Sequence, residues 1–169
     1  MEELDRLSVS EFKSSEKVPL VIILDNIRSQ HNIGSIFRTA DAFRIECIHL
    51  CGITATPPNR EIEKTALGAT ESVAWKYFST TFESINELKS AGYEIIAIEQ
   101  AEGSTSIKDF DATNFKKVGI VFGNEVNGVD DAIMEICDHF VEIPQYGTKH
   151  SLNVSVAAGI TIWEFCHKL

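Results

Sequence analysis

Five apolar runs constrain this chain more than any other feature: PLVIILDNI (19–27), ECIHLCG (46–52), YEIIAIEQ (93–100), KKVGIVFGN (116–124) and HFVEIP (139–144). They do not alternate apolar with polar, as half-wet strands do. They are nearly continuous and rich in Ile and Val, the pattern of strands covered on both faces in a parallel sheet. Parallel strands need crossover segments, and helical spacing occupies the intervals: 33–44, roughly 81–91, 129–137 and a final stretch from about 152 to 168. Segment 59–71 begins helical and breaks at Gly68. The expected fold is α/β, a mostly parallel sheet flanked by helices. Residues 18–169 read as one domain, and 1–17 as a polar N-terminal segment that adds a loose helix.

Composition narrows the function classes. No apolar run is long enough to cross a bilayer, and MEELDRLSVSEFKSSEK is acidic and polar, unlike a secretory signal, so the expected location is the cytoplasm. Cys47, Cys51, Cys137 and Cys166 form no CxxC pair and read as small buried hydrophobes in a reducing compartment. His31, His49, His139, His150 and His167 are scattered without ligand spacing, so no metal is expected. The net charge of −10 argues against a broadly basic nucleic-acid surface. The charge is uneven, however. Residues 1–76 hold nine Lys/Arg and eleven Asp/Glu, whereas 77–169 hold six and fourteen. Arg28, Arg38, Arg44, Arg60 and Lys64 lie in the balanced part, which leaves room for a local basic site on an acidic body.

In open parallel sheets ligands bind outside the carboxyl ends of the strands. The first strand empties into DNIRSQHNIG, YEIIAI into EQAEGSTS, KKVGIVF into GNEVNG, and HFVEI into PQYGTKHSLN. Polar, glycine-bearing exits from several strands predict one shared pocket. Neither GxGxxG after a strand, nor GxxxxGK[ST], nor GxSxG occurs, which counts against a dinucleotide site, a P-loop and a hydrolase elbow. In HNIGSIFRTADAF, Ile33, Ile36, Phe37, Ala40 and Phe43 share one face; Arg38 follows Gly34, which is expected to leave room for a close backbone approach. Glu125 lies between the turn glycines Gly123 and Gly128. In SLNVSVAAGITIWEFC, Ser151 or Asn153 is the expected N-cap. That helix is apolar nearly all round, so it is either central to one subunit or buried against a partner.

Three of these segments, NIGSIFRTADAF, IVFGNEVNGV and IPQYGTKHSLNVSVAAGI, resemble in content, order and spacing the signature motifs of the SpoU/TrmH family of SPOUT RNA methyltransferases. KTALGATESVAWKYF is similar as well, and the resemblance runs from about residue 18 to 168. It implies a SPOUT-like sheet with a C-terminal trefoil knot, which general fold rules would not suggest. It implies S-adenosylmethionine as cofactor, held by loops at Glu99, Gln100, Gly123, Ile143 and Leu152. It further implies a homodimer packed through the last helix, and methyl transfer to a ribose 2′-hydroxyl of tRNA or rRNA. The motif residues fall on Asn32, Arg38, Glu125, Ser151 and Asn153, with Arg38 essential and serving the cofactor site of the other subunit. Lys149 and His150 are expected to add positive charge near the RNA. The grip on RNA is otherwise expected from the core dimer or from another protein.

Three other readings remain at this point. One is a non-catalytic SPOUT domain that binds S-adenosylmethionine and RNA; the motif set Asn32, Arg38, Glu125, Ser151 and Asn153 argues against it. Another is a flavodoxin-like regulatory module, which predicts an unknotted monomer without affinity for S-adenosylmethionine. The third is a relative that modifies the tRNA wobble nucleotide by the same chemistry.

Overall fold

The computed structural model describes residues 7–149 and 151–169. His150 and the first six residues of the expected N-terminal segment lie outside the described residues. Seven strands form one all-parallel sheet: β1 Val18–Asp25, β2 Ile45–Cys51, β3 Trp75–Phe78, β4 Glu94–Ile98, β5 Thr105–Ser106, β6 Val118–Phe122 and β7 His139–Glu142. Their order is β3-β2-β1-β6-β4-β7-β5. The helices are α1 Val9–Ser14, α2 Gln30–Ala42, α3 Arg60–Ala66, α4 Ala69–Ser72, α5 Thr81–Ser90, α6 Asp131–Met134 and α7 Val154–Cys166.

The unbroken apolar runs follow from helices on both faces. Along β1, Leu20, Ile22 and Leu24 point into a core shared with α2, α3 and α7. Val21 and Ile23 point the other way, into a core with Ile85 and Leu88 of α5 and Ile133 of α6. Because successive strand residues face opposite sides, each run must be apolar throughout. The break expected at Gly68 is real: Leu67 and Gly68 both adopt positive φ, ending α3 and starting α4 at a new angle. The helix expected over 129–137 forms only as α6, one turn capped by the Asp130 side chain on Ala132 N–H.

One crossing is unusual. Val141 of β7 pairs with Ile98 of β4 on one side and with Thr105 of β5 on the other. Residues 99–104 join those two neighbours, so this short link straddles β7. Parallel neighbours normally need a crossover of a dozen residues or more. The C-terminal helix is tied back to the same region, where Lys168 Nζ donates to the carbonyls of Ile107 at 2.7 Å and Phe110 at 2.8 Å.

Candidate functional site

The exits of β1, β4, β6 and β7 converge. A cleft of about 570 Å³ opens there, lined by Glu99, Gln100, Gly123, Ile143 and Leu152, the five positions expected to hold a cofactor. Glu125, Ser151 and Asn153 line it as well. Ile98, Phe122, Val154 and Ala157 supply an apolar floor. The volume lies within the range of small-molecule sites.

The loop between Gly123 and Val129 folds tightly on itself. Asn124 Oδ1 accepts from Val126 N–H at 2.9 Å, and Gly128 N–H donates to the Asn124 carbonyl at 2.9 Å. A Cβ on Gly123 would collide with the backbone of Gly128 and Val129, so glycine there serves loop closure. Glu99 braces the loop from outside: its carboxylate accepts from Val129 N–H at 3.0 Å and lies over Gly128, whose φ of 71° favours glycine.

A chain of polar contacts links the three distant motifs. The Glu125 carboxylate accepts from the backbone N–H groups of Arg28 at 3.1 Å and Ser29 at 3.0 Å, at the start of α2. Asn32 Nδ2 reaches the same carboxylate in a long 3.5 Å contact, and Asn32 Oδ1 accepts from Asn153 Nδ2 at 3.1 Å. The amide orientations are forced. Asn153 Oδ1 caps α7 through Ser155 N–H at 2.9 Å, so its NH₂ must donate outward. Asn32 must then accept with its oxygen and offer its NH₂ to Glu125, which can only accept. Burial pushes the Glu125 carboxyl up. The N–H groups of Arg28, Glu125 itself and Ser29, with the Asn32 amide, outweigh that and hold its pKa below the ordinary carboxylate value.

Arg38 stands apart. It is exposed on α2, does not line the cleft, and has no acidic partner among the described residues. It lies six positions along α2 from Asn32, roughly 9 Å of rise. Gly34 also departs from expectation. It is buried, and a Cβ on it would collide with the Ile62 carbonyl and Thr65 hydroxyl of α3. Its small size admits a neighbouring helix rather than a ligand. Sequence reasoning missed Asn26, whose carbonyl accepts from Asn124 Nδ2 at 2.7 Å and whose Oδ1 accepts from Ile53 N–H at 3.1 Å. The signal was available: an Asn directly after an apolar strand marks a turn, and here it adopts φ 54°. No cluster of three or more metal-ligating side chains occurs among the described residues, and no helix there is long and apolar enough to cross a membrane.

A parallel α/β sheet with a small-molecule cleft at its carboxyl edge, closed by a link that steps over a strand, defines a cofactor-binding fold of the SPOUT class. Residues 19–163 match the profile of the SpoU rRNA Methylase family, and the chain belongs to that family. It is 34% identical over 160 residues to a Staphylococcus saprophyticus protein named for the TrmH family of tRNA/rRNA methyltransferases, covering 95% of this chain and 63% of that one. The chain thus spans less than two thirds of such relatives. Among solved structures, the AdoMet-bound rRNA methyltransferase of Sinorhizobium meliloti superposes with a TM-score of 0.81 at 30% identity, over 88% of this chain and 56% of that one. The TrmH/SpoU tRNA modifying enzyme of A. aeolicus gives 0.81 at 30% identity, over 93% and 78%.

Proposed function

We propose that this domain transfers a methyl group from S-adenosylmethionine to a ribose 2′-hydroxyl of tRNA or rRNA, in the cytoplasm. The observation that carries the reading is the Glu125–Asn32–Asn153 contact chain at the rim of a cleft lined by all five expected cofactor positions. The cleft fits the cofactor: Ile98, Phe122, Ile143 and Leu152 offer apolar surface to a flat adenine, and the polar rim suits ribose and amino-acid ends. AdoMet in the S. meliloti relative and tRNA modification by the A. aeolicus relative support the assignment.

When bound, the cofactor supplies an electrophilic methyl group on a sulfonium. The chain's own residues must position a poor nucleophile and stabilise the charge that develops on it. Arg38 binds an RNA phosphate bidentately beside the reacting hydroxyl. A guanidinium scarcely deprotonates, so its work is placement and electrostatics rather than proton acceptance. Asn32 and Glu125 fix the start of α2, Asn153 fixes the start of α7, and Ser151 lies at the cleft where the ribose arrives. Because Arg38 lies away from the cleft of its own chain, it serves the cleft of a second copy. Val156, Ile160 and Trp163 form an exposed apolar stripe along α7 with open space at Gly159, and Trp163 meets Phe43 edge-on at 5.8 Å, at the C-cap of the helix that carries Arg38. This supports a homodimer through α7. The link over β7 supports closure of the C-terminal part into a trefoil knot.

The test is transfer of tritiated methyl from S-adenosylmethionine to bulk tRNA and, separately, to rRNA. Label is expected in one pool, in alkali-resistant dinucleotides. Arg38→Ala should abolish it while leaving cofactor affinity unchanged. Cofactor binding without label in either pool would indicate a non-catalytic binder. No cofactor binding at all would indicate a regulatory α/β module.

A further inference from the structure

The loop over 124–128 has a second wall. On its far side lies a smaller cleft of about 300 Å³, lined by Asp25, Asn26, Arg28, Ile53 and Asp130 besides the loop itself. It lies where the strand order turns: β2 flanks β1 on one side and β6 on the other, so connections leave in opposite directions. Crevices at such switch points are the favoured ligand sites of open parallel sheets.

Asp25 is only 2% exposed. Its Oδ1 accepts from Thr81 Oγ1 at 2.5 Å and from Asn26 Nδ2 at 2.9 Å. Its Oδ2 has no donor among the described residues. Thr161 Oγ1 is the one fully buried side-chain polar atom without a partner among the described residues, so Asp25 Oδ2 keeps contact with solvent, and an occupant of the cleft that presents an N–H takes the place of water there. Asp130, exposed at the mouth and capping α6 with one oxygen, adds a second carboxylate to the lining, and the two carboxylates together disfavour a phosphate inside the cleft. Arg28 is exposed and has no acidic partner among the described residues, which places a free guanidinium at the rim. Ile53 at 64% and Val126 at 72% exposure contribute apolar surface to the same cleft. Acceptors inside, a cation at the mouth and apolar flanks together describe a nucleotide with its amino edge inward and its phosphate outward.

We propose that this cleft holds the base of the nucleotide being methylated, and that Asp25 selects bases bearing an exocyclic amino group over uracil. The inference rests on the RNA methyl-transfer reading. Cytosine offers its N4 amino group to a carboxylate, whereas uracil presents carbonyl oxygens on both sides of a single N–H. Arg28 engages the adjoining phosphate. The two clefts share Asn124, Val126, Asn127 and Gly128, so a base in one places its ribose at the wall of the other.

The experiment titrates the full chain, saturated with S-adenosylhomocysteine to fill the larger cleft, with cytidine or uridine 5′-monophosphate and follows backbone amide shifts. The amides of Asn26, Ile53 and Asn127 should move, with cytidine monophosphate binding severalfold tighter. Asp25→Asn should weaken that nucleotide roughly tenfold and erase the preference. Arg28→Ala, at an exposed side chain, should weaken both nucleotides equally, and it keeps the test open if loss of the Thr81 contact unfolds the first variant. Equal affinity for the two nucleotides, no shift with either, or shifts from magnesium alone would overturn the proposal. Saturation by S-adenosylhomocysteine is read in the same samples. Its failure would count against methyl transfer, whereas its success without base preference would count against this cleft alone.

Discussion

Glu125 is anchored by backbone N–H groups rather than by a cation, and that decides how its removal should look. Glu125→Ala leaves Arg28 N–H and Ser29 N–H without their acceptor and frees Asn32 to rotate. Both donors lie near solvent, so water replaces part of the loss, and urea denaturation should report a cost of about 1 kcal/mol. Methyl transfer should fall much further, because the start of α2 is no longer held. The folded pKa of Glu125 is lowered, so its contribution is present above the ordinary carboxylate pKa and is lost as pH falls through the folded value. Stability measured below about pH 4.3 should therefore fall more steeply in the native chain than in Glu125→Gln. At this scale the sequence was legible where a residue type announces its use: Asn153 as an N-cap, Glu125 between turn glycines. Asp25 was not legible. It ends an apolar run, and nothing local says that its second oxygen lacks a donor.

Among the elements, α2 against α3 is the contact most sensitive to size. Gly34→Ala places a methyl group on the Ile62 carbonyl and the Thr65 hydroxyl. Overpacking costs about 1–3 kcal/mol, and the helix preference of Ala over Gly returns about 1 kcal/mol. The melting temperature should fall by several degrees, and His31, whose carbonyl accepts from Thr65 Oγ1 at 2.8 Å, should shift with it. A stabilised variant would mean that α3 yields freely. The strongly apolar elements β1, β2, β4, β6 and β7 were readable because burial on both faces leaves no polar position. Two strands were missed. β3, WKYF, is a half-exposed edge strand, and β5 has only two residues, too few for any period to register. The glycine at 34 was misread because close approach by a ligand and by a helix ask the same thing of a residue.

Across the whole molecule, the unpaired stripe on α7 is the feature that a single chain leaves unexplained. Trp163, 56% exposed, lies at its C-terminal end against Phe43. If the proposed shared site exists, Trp163→Glu should convert a dimer to a monomer in light scattering and suppress methyl transfer while cofactor binding persists, because Arg38 would lose the cleft of the second copy. A native chain that is monomeric at micromolar concentration would sink the shared-site reading. Pairing order was beyond the reach of the sequence: β7 chooses its neighbours through contacts between segments tens of residues apart, which no local pattern encodes.

The short link over β7 has a further consequence for how the chain is made. β4 and β5 leave the ribosome before β7, already joined by residues 99–104. The last strand therefore enters between two strands rather than adding to the rim of the sheet. Until His139–Glu142 emerges, β4 holds a vacant pairing edge, the template on which nascent chains pair with one another. A ribosomal pause before that point would lengthen the exposure of that edge, and the hazard ends only when β7 has slipped beneath a bridge built ahead of it.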